Sequence, residues 1–130
     1  MTNNGRALTL ARAYHGAWTS EEFEEAGRYL AEDLETEVPL NTYGSKGDWL
    51  DAVRRTRQVA SKVELLAEFG SDDQALLLYD LLLDPIGDLR VAEHFMVAGG
   101  RIVKIRHVHD TAALRAAGFA REPEQARSDH

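Results

Sequence analysis

The sequence predicts an α+β fold in which a cone-shaped, curved antiparallel sheet wraps around three N-terminal helices. Apolar residues recur every three or four positions as far as residue 60, which is the spacing of amphipathic helices, and every second position from residue 63, which is the spacing of strands. Short turn sequences separate the later segments, and such connections join antiparallel neighbours. Helices followed by strands of this kind indicate helices packed on one face of a sheet.

The three helices are predicted from their apolar stripes and their start signals. The first covers residues 6–18, and the second follows a cap at Thr19 or Ser20. A short strand over residues 35–40 separates it from the third helix, which is predicted to begin with Asp48 as its cap. By this spacing the inward-facing residues are Leu8, Ala11, Tyr14, His15 and Trp18, then Phe23, Ala26, Gly27 and Leu30, then Trp49, Leu50, Val53, Thr56 and Val59 or Ala60.

The second half of the chain predicts four successive strands and a final helical turn. The strands cover residues 63–69, 74–83, 89–98 and 101–110, and the turn at residues 111–117 ends at Gly118. We therefore predict one domain over residues 1–118, followed by a polar, disordered tail at residues 119–130.

Composition excludes several classes of protein. The 130 residues carry a formal net charge of −7, whereas nucleic acids and anionic membranes bind clustered Lys and Arg. The chain has no cysteine, so neither a disulfide framework nor a thiolate zinc site can form. The apolar runs are too short to span a membrane, and residues 1–6 lack the apolar core of a signal peptide. We expect a cytoplasmic protein, and the excess of Arg over Lys favours a bacterial source.

Alternation along the strands places at least one ionisable group on each inner face. Because side chains on a strand point to alternate faces, each set below shares a face, and a charged group among apolar neighbours is costly unless it is paired. The predicted inner sets are Leu76, Leu78, Asp80 and Leu82; Leu89, Val91, Glu93, Phe95 and Val97; and Val103, Ile105, His107 and His109. We predict that Asp80 or Glu93 contacts His107 and forms an acid/base pair with it.

Other interpretations of these residues stay open. Tyr14 on a helix stripe is as well explained by a core aromatic, and a bulge that shifts the strand register would turn Asp80 to solvent. His107 and His109 form only a two-histidine pair, so no metal site is predicted. The outer sheet face also carries apolar side chains, which favours a homodimer through that face. The residues expected there are Leu77, Tyr79, Leu81 and Met96.

Residues 6–118 resemble the nuclear transport factor 2-like superfamily. The segment at residues 13–18 resembles the first helix of ketosteroid isomerase, and Tyr14 falls on the tyrosine that donates to the substrate oxyanion. Glu93-His94-Phe95 falls on an Asp-His-Phe segment of that family, so Glu93 replaces the protonated Asp of the oxyanion hole. The family's general base precedes a proline, and here Val38 stands at that position.

Two further groups of this superfamily share short segments with the chain. The stretch at residues 38–44 resembles the Met-Pro-Leu…Tyr-Gly loop of limonene-1,2-epoxide hydrolase, whose two catalytic acids fall on Asp80 and His107. Residues 100–103 and 110–114 resemble the SnoaL-like polyketide cyclases.

The resemblance implies a cofactor-free isomerase, cyclase or hydrolase that acts on a small apolar molecule by acid/base chemistry. A non-catalytic ligand-binding module and a dimerisation scaffold of the same fold are the alternatives. The candidate catalytic residues are Tyr14, Asp80, Glu93 and His107. The candidate substrate-binding residues are Trp18, Val38, Leu40, Trp49, Leu78, Phe95, Ile105 and His109.

Overall fold

The structure is a computed structural model that describes residues 5–118. The predicted tail at residues 119–130 lies outside the described residues. Within the described part of the chain, no helix is both long enough and apolar enough to cross a membrane. The elements in chain order are α1 (Gly5–Thr19), α2 (Phe23–Arg28), β1 (Leu30–Glu37), α3 (Lys46–Val59), β2 (Ala60–Gly70), β3 (Gln74–Leu83), β4 (Gly87–Ala98), β5 (Arg101–Val108) and α4 (Ala112–Ala116).

The five strands form one sheet in the order β1-β5-β4-β3-β2. Strands β2 to β5 pair antiparallel as predicted, whereas β1 pairs parallel with β5, so the sheet is mixed rather than wholly antiparallel. Register shifts interrupt the pairing of β1 with β5, of β2 with β3 and of β4 with β5. Such bulges bend and twist strands, which favours a curved sheet. The α+β class is confirmed.

Several boundaries differ from the sequence prediction, and two of the differences have a clear structural cause. The first strand begins at Leu30, which the helical spacing assigns to α2, because Leu30 pairs with Ile102 on β5. The third helix is capped by Ser45 and not by Asp48, since the Ser45 hydroxyl accepts from the Asp48 backbone N–H at 3.0 Å. A serine hydroxyl at this position satisfies one of the unpaired N–H groups of the first turn.

The predicted face assignment of β3 is wrong by one residue. Leu77, Tyr79 and Leu81 point into the core, although alternation predicts them on the outer face. Leu76, Leu78, Asp80 and Leu82 lie on the opposite, outer face, and Asp80 pairs with Arg90 across the strands. Because β3 is apolar on both faces, alternation alone could not choose between them, and the salt bridge of Asp80 with Arg90 keeps both charges in solvent.

Strand β4 presents the face that alternation predicts. Val91, Glu93 and Phe95 are buried, while Leu89 and Val97 are partly buried. The helices cover this inner face, with α1 contributing Ala7, Leu8, Ala11, Tyr14, Ala17 and Trp18 to the core.

Besides the tyrosines Tyr14 and Tyr79, the described part of the core holds two buried ionisable side chains, Glu93 and His15. His15 packs its ring against those of Tyr79 and Trp18, at centroid distances of 4.9 and 5.4 Å. Its Nδ1 atom is buried and has no hydrogen-bond partner among the described residues. Burial lowers the pKa of His15 below 6.5, against the opposing attraction of Glu93 and Glu68.

His15 should therefore make the stability of the protein depend on pH. The unfolded chain takes up the His15 proton before the folded one does, so the free energy of unfolding falls as the pH drops below about 6.5. We expect His15→Leu to flatten this decline, measured by urea unfolding between pH 7.5 and 5.5. His94→Gln, at a partly exposed site on the outer face, is the control and should flatten it less. An unchanged slope in His15→Leu would contradict the assignment.

Candidate active site

A cavity of about 1310 Å³ opens between the helices and the inner face of the sheet. Its wall combines aromatic and aliphatic side chains, among them Tyr14 and Trp18 from α1, Trp49 from α3 and residues of β3, β4 and β5, with charged side chains of α3, namely Asp48, Asp51 and Arg55. The loop between β1 and α3 adds further lining residues, as do His109, Leu114 of α4 and Gly118. Apolar cavities with a few polar groups are the usual form of small-molecule sites.

A carboxylate with two partners lies in this wall. Glu93 is 1% exposed, and its Oε1 accepts from the Tyr79 hydroxyl at 2.9 Å. Its Oε2 lies 2.8 Å from Nε2 of His107 on the neighbouring strand β5. The pairing of β4 with β5 places Glu93 directly opposite His107, and the pairing of β3 with β4 places Tyr79 opposite Val91. The predicted contact of a carboxylate with His107 is confirmed, with Glu93 as the partner.

These hydrogen bonds assign the tautomer of His107. Burial, the charge of Glu93 and the hydrogen bond to Glu93 all raise the pKa of Tyr79 well above its ordinary value, so Tyr79 is a donor. A carboxylate can only accept a hydrogen bond. Nε2 of His107 therefore carries a hydrogen and donates it to Glu93 in a hydrogen bond. Within residues 5–118, the other ring nitrogen, Nδ1, has no hydrogen-bond partner. Nδ1 is thus the atom that can exchange a proton with a ligand.

Tyr14 is a second polar residue beside the cavity, and its side chain is fully buried. The indole Nε1–H of Trp49 donates to the Tyr14 oxygen at 3.0 Å. Burial and the charge of Glu93 raise the pKa of Tyr14 well above its ordinary value, while the Trp49 hydrogen bond acts in the opposite direction. Tyr14 therefore keeps its proton at neutral pH, and no described residue accepts it. A ligand oxygen in the cavity could accept this proton.

Five of the eight predicted substrate-binding residues line the cavity: Trp18, Val38, Leu40, Trp49 and His109. Leu40 has a backbone φ of 76°, in the left-handed region that branched and bulky residues seldom adopt. His109 donates from Nδ1 to the backbone oxygen of Asp110 at 3.0 Å, and burial lowers its pKa below 6.5. His109 is therefore largely neutral near pH 7.

The remaining predicted residues lie elsewhere. Leu78 and Asp80 are on the outer face of the sheet, for the reason given by the β3 register, and Asp80 takes a bidentate hydrogen bond from Arg90 at 2.7 and 2.9 Å. Phe95 and Ile105 face inward but are wholly buried in the core and do not line the cavity. Phe95 instead packs edge-on against the Tyr14 ring, at a centroid distance of 5.9 Å.

Sequence reasoning missed one member of the site, Tyr79. Alternation assigns it to the outer face, yet its hydroxyl is one of the two donors to Glu93. The position of the turn after β3 could have revealed the correct face. If Leu83 pairs with Gly87, the antiparallel register places Tyr79 opposite Val91, which lies on the same face as Glu93.

Metal ligation is not favoured by the described part of the chain, where no three His, Asp or Glu side chains could hold an ion together.

No protein-family model and no curated protein matches the sequence. Solved structures do. A protein from Kribbella flavida is 29% identical, with a TM-score of 0.81 over 88% of this chain and 94% of that one. An NTF2-like protein from Cytophaga hutchinsonii is 14% identical, with a TM-score of 0.72 over 88% of this chain and 99% of that one. This chain has the nuclear transport factor 2-like fold.

A steroid delta-isomerase from Pseudomonas aeruginosa also has this nuclear transport factor 2-like fold. It is 15% identical to this chain, with a TM-score of 0.73 over 88% of this chain and 87% of that one. The resemblance drawn from short sequence segments is thus confirmed at the level of the fold, which by itself carries no activity.

Proposed function

We propose that this protein is a cofactor-free acid/base catalyst that moves a proton on a small apolar carbonyl compound, as an isomerase or cyclase does. The observation that carries the proposal is the hydrogen-bonded series from Tyr79 through Glu93 to His107 in the wall of a cavity that also presents aromatic and aliphatic side chains. A histidine oriented by a buried carboxylate is a well-suited general base near neutral pH.

The proposed reaction begins with His107. Its Nδ1 takes a proton from the carbon beside the carbonyl, the C–H electron pair moves into the new C=C bond, and the carbonyl oxygen becomes an enolate oxygen. Tyr14 donates its hydroxyl proton in a hydrogen bond to that oxygen, where negative charge develops. His107 then returns its proton to the same or another carbon. The sequence of steps is redox-neutral.

Hydrogen–deuterium exchange tests the proposal without knowledge of the natural substrate. The protein is incubated in D₂O with enolisable bicyclic ketones, beginning with 1-tetralone, and deuterium beside the carbonyl is measured by mass spectrometry. We expect exchange above the buffer rate in the wild type and at the buffer rate in His107→Ala.

A ligand-binding module without catalysis is the second candidate, and the presence of Val38 in place of a carboxylate favours it. Both tryptophans of the chain line the cavity, so their fluorescence reports binding directly. Quenching by a ketone without any exchange would favour this second function and contradict the first.

We also propose that two copies pair through the outer sheet face in a cytoplasmic homodimer. Phe69 is 64% exposed and Val108 70% exposed on this face, and Leu76 and Leu82 of β3 are exposed there as well. Exposed apolar side chains grouped on one face favour association. We expect sedimentation to show a dimer that Phe69→Glu converts to a monomer, and a monomeric wild type would contradict the proposal.

A further inference from the structure

We propose that Trp49 is a positioning residue that holds Tyr14 and His107 in their working geometry at once. The proposal rests on the proposed function, because it concerns the same two groups. Trp49 is 3% exposed and touches both of them: its Nε1–H donates to the Tyr14 oxygen at 3.0 Å, and its ring lies edge-on to the His107 ring at 5.2 Å.

The local sequence fixes where this indole lies. Ser45 caps α3, and the backbone N–H of Trp49 makes a helical hydrogen bond to the Ser45 carbonyl at 3.0 Å. The Tyr43 ring packs edge-on against the indole from the preceding loop, at 5.4 Å. Trp49 is therefore held by the helix start on one side and by an aromatic ring on another. A side chain held in this way can orient its neighbours.

The hydrogen bond from Trp49 should strengthen Tyr14 as a donor. A hydroxyl whose oxygen accepts one hydrogen bond is polarised and donates a stronger one. Because Trp49 occupies one side of the Tyr14 oxygen as a donor, the hydroxyl hydrogen cannot point in that direction. The Tyr14 hydrogen therefore stays available for an acceptor in the cavity. On the other side, the edge-on contact restricts rotation of the His107 ring about the axis set by Glu93.

Trp49→Phe tests the inference because it keeps an aromatic ring and removes the N–H donor. Trp18→Phe is the matched control: Trp18 lines the same cavity, and within residues 5–118 its indole has no hydrogen bond to a protein acceptor. These are the only two tryptophans, so the indole ¹H–¹⁵N spectrum holds two signals that the two variants assign.

The spectroscopic arm does not depend on catalysis. We expect Tyr14→Phe to shift the Trp49 indole signal upfield and to leave the Trp18 signal in place. We expect Trp49→Phe, but not Trp18→Phe, to shift the Tyr14 ¹³Cζ resonance. An unmoved Trp49 signal in Tyr14→Phe would overturn the inference whatever the outcome of the exchange assay, so its failure and that of the proposed function are distinguishable.

The kinetic arm uses exchange into 1-tetralone. We expect Trp49→Phe to lower kcat about fivefold to tenfold, the effect of one neutral hydrogen bond, with little change in KM. In a Tyr14→Phe background, Trp49→Phe should lower kcat by a clearly smaller factor than it does in the wild type, because part of its effect passes through Tyr14. An equal loss in both backgrounds, or a loss confined to KM, would overturn the inference.

Discussion

Replacing Glu93 with Gln is expected to lower exchange into 1-tetralone by about 10²-fold to 10⁴-fold. The new side-chain amide can still accept from Tyr79 through its carbonyl oxygen, but its NH₂ group then presents a donor to His107. Nε2 of His107 must in that case accept, and the ring proton moves to Nδ1. The nitrogen that faces a ligand would then be unable to act as a base. The same logic explains why an Asp-to-Asn change in the serine protease triad is so costly.

Asp80→Asn is the matched control for this substitution. It makes the same carboxylate-to-amide change on β3, but on the outer face, where Asp80 pairs with Arg90 in solvent. We expect exchange in Asp80→Asn within about twofold of the wild type, since exposed ion pairs contribute little. Equal losses in the two variants would show that Glu93 has no special part in the chemistry. The one-dimensional NMR spectrum of each variant checks that it is folded.

Replacing Phe95 with Ala is expected to lower the free energy of unfolding by about 3–5 kcal/mol. Phe95 is wholly buried and packs edge-on against Tyr14, so its loss leaves a cavity beneath the site and removes a support of the Tyr14 ring. Urea unfolding measures the change. For a domain of this size such a loss is a large part of the total stability.

Phe95→Leu separates this structural role from the substrate contact that the sequence predicted. Leu keeps much of the buried volume, so we expect a smaller loss of stability than in Phe95→Ala. Because Phe95 does not line the cavity, the tryptophan fluorescence titration with 1-tetralone should give the wild-type affinity. A weakened affinity in Phe95→Leu, or a loss below about 1 kcal/mol in Phe95→Ala, would contradict this placement.

The alternation of side chains predicted the site correctly on the strands whose two faces clearly differ in polarity. On β4, Glu93 stands between Val91 and Phe95, so one buried face and its carboxylate could be read directly. His107 follows Ile105 at the same spacing on β5, and antiparallel pairing brings the two together. The order of the later elements was equally readable, because the apolar period is helical in the third helix and becomes two from residue 63.

The errors arose where local pattern holds no information. Strand β3 is apolar at nearly every position, so both of its faces fit a core, and only the pairing across the turn to Gly87 decides between them. The contact of Trp49 with Tyr14 joins two helices through residues 35 apart in sequence, and its distance depends on how the helices pack. No periodicity encodes that distance.

The central claim is that Glu93 holds His107 with Nδ1 free to exchange a proton. The direct measurement is the ¹⁵N spectrum of the uncharged His107 ring, in which the two nitrogens differ strongly according to which one carries hydrogen. We predict a protonated Nε2 and a bare Nδ1 in the wild type, and the reverse in Glu93→Gln. A wild-type ring with hydrogen on Nδ1, or one that averages between both tautomers, would contradict the account.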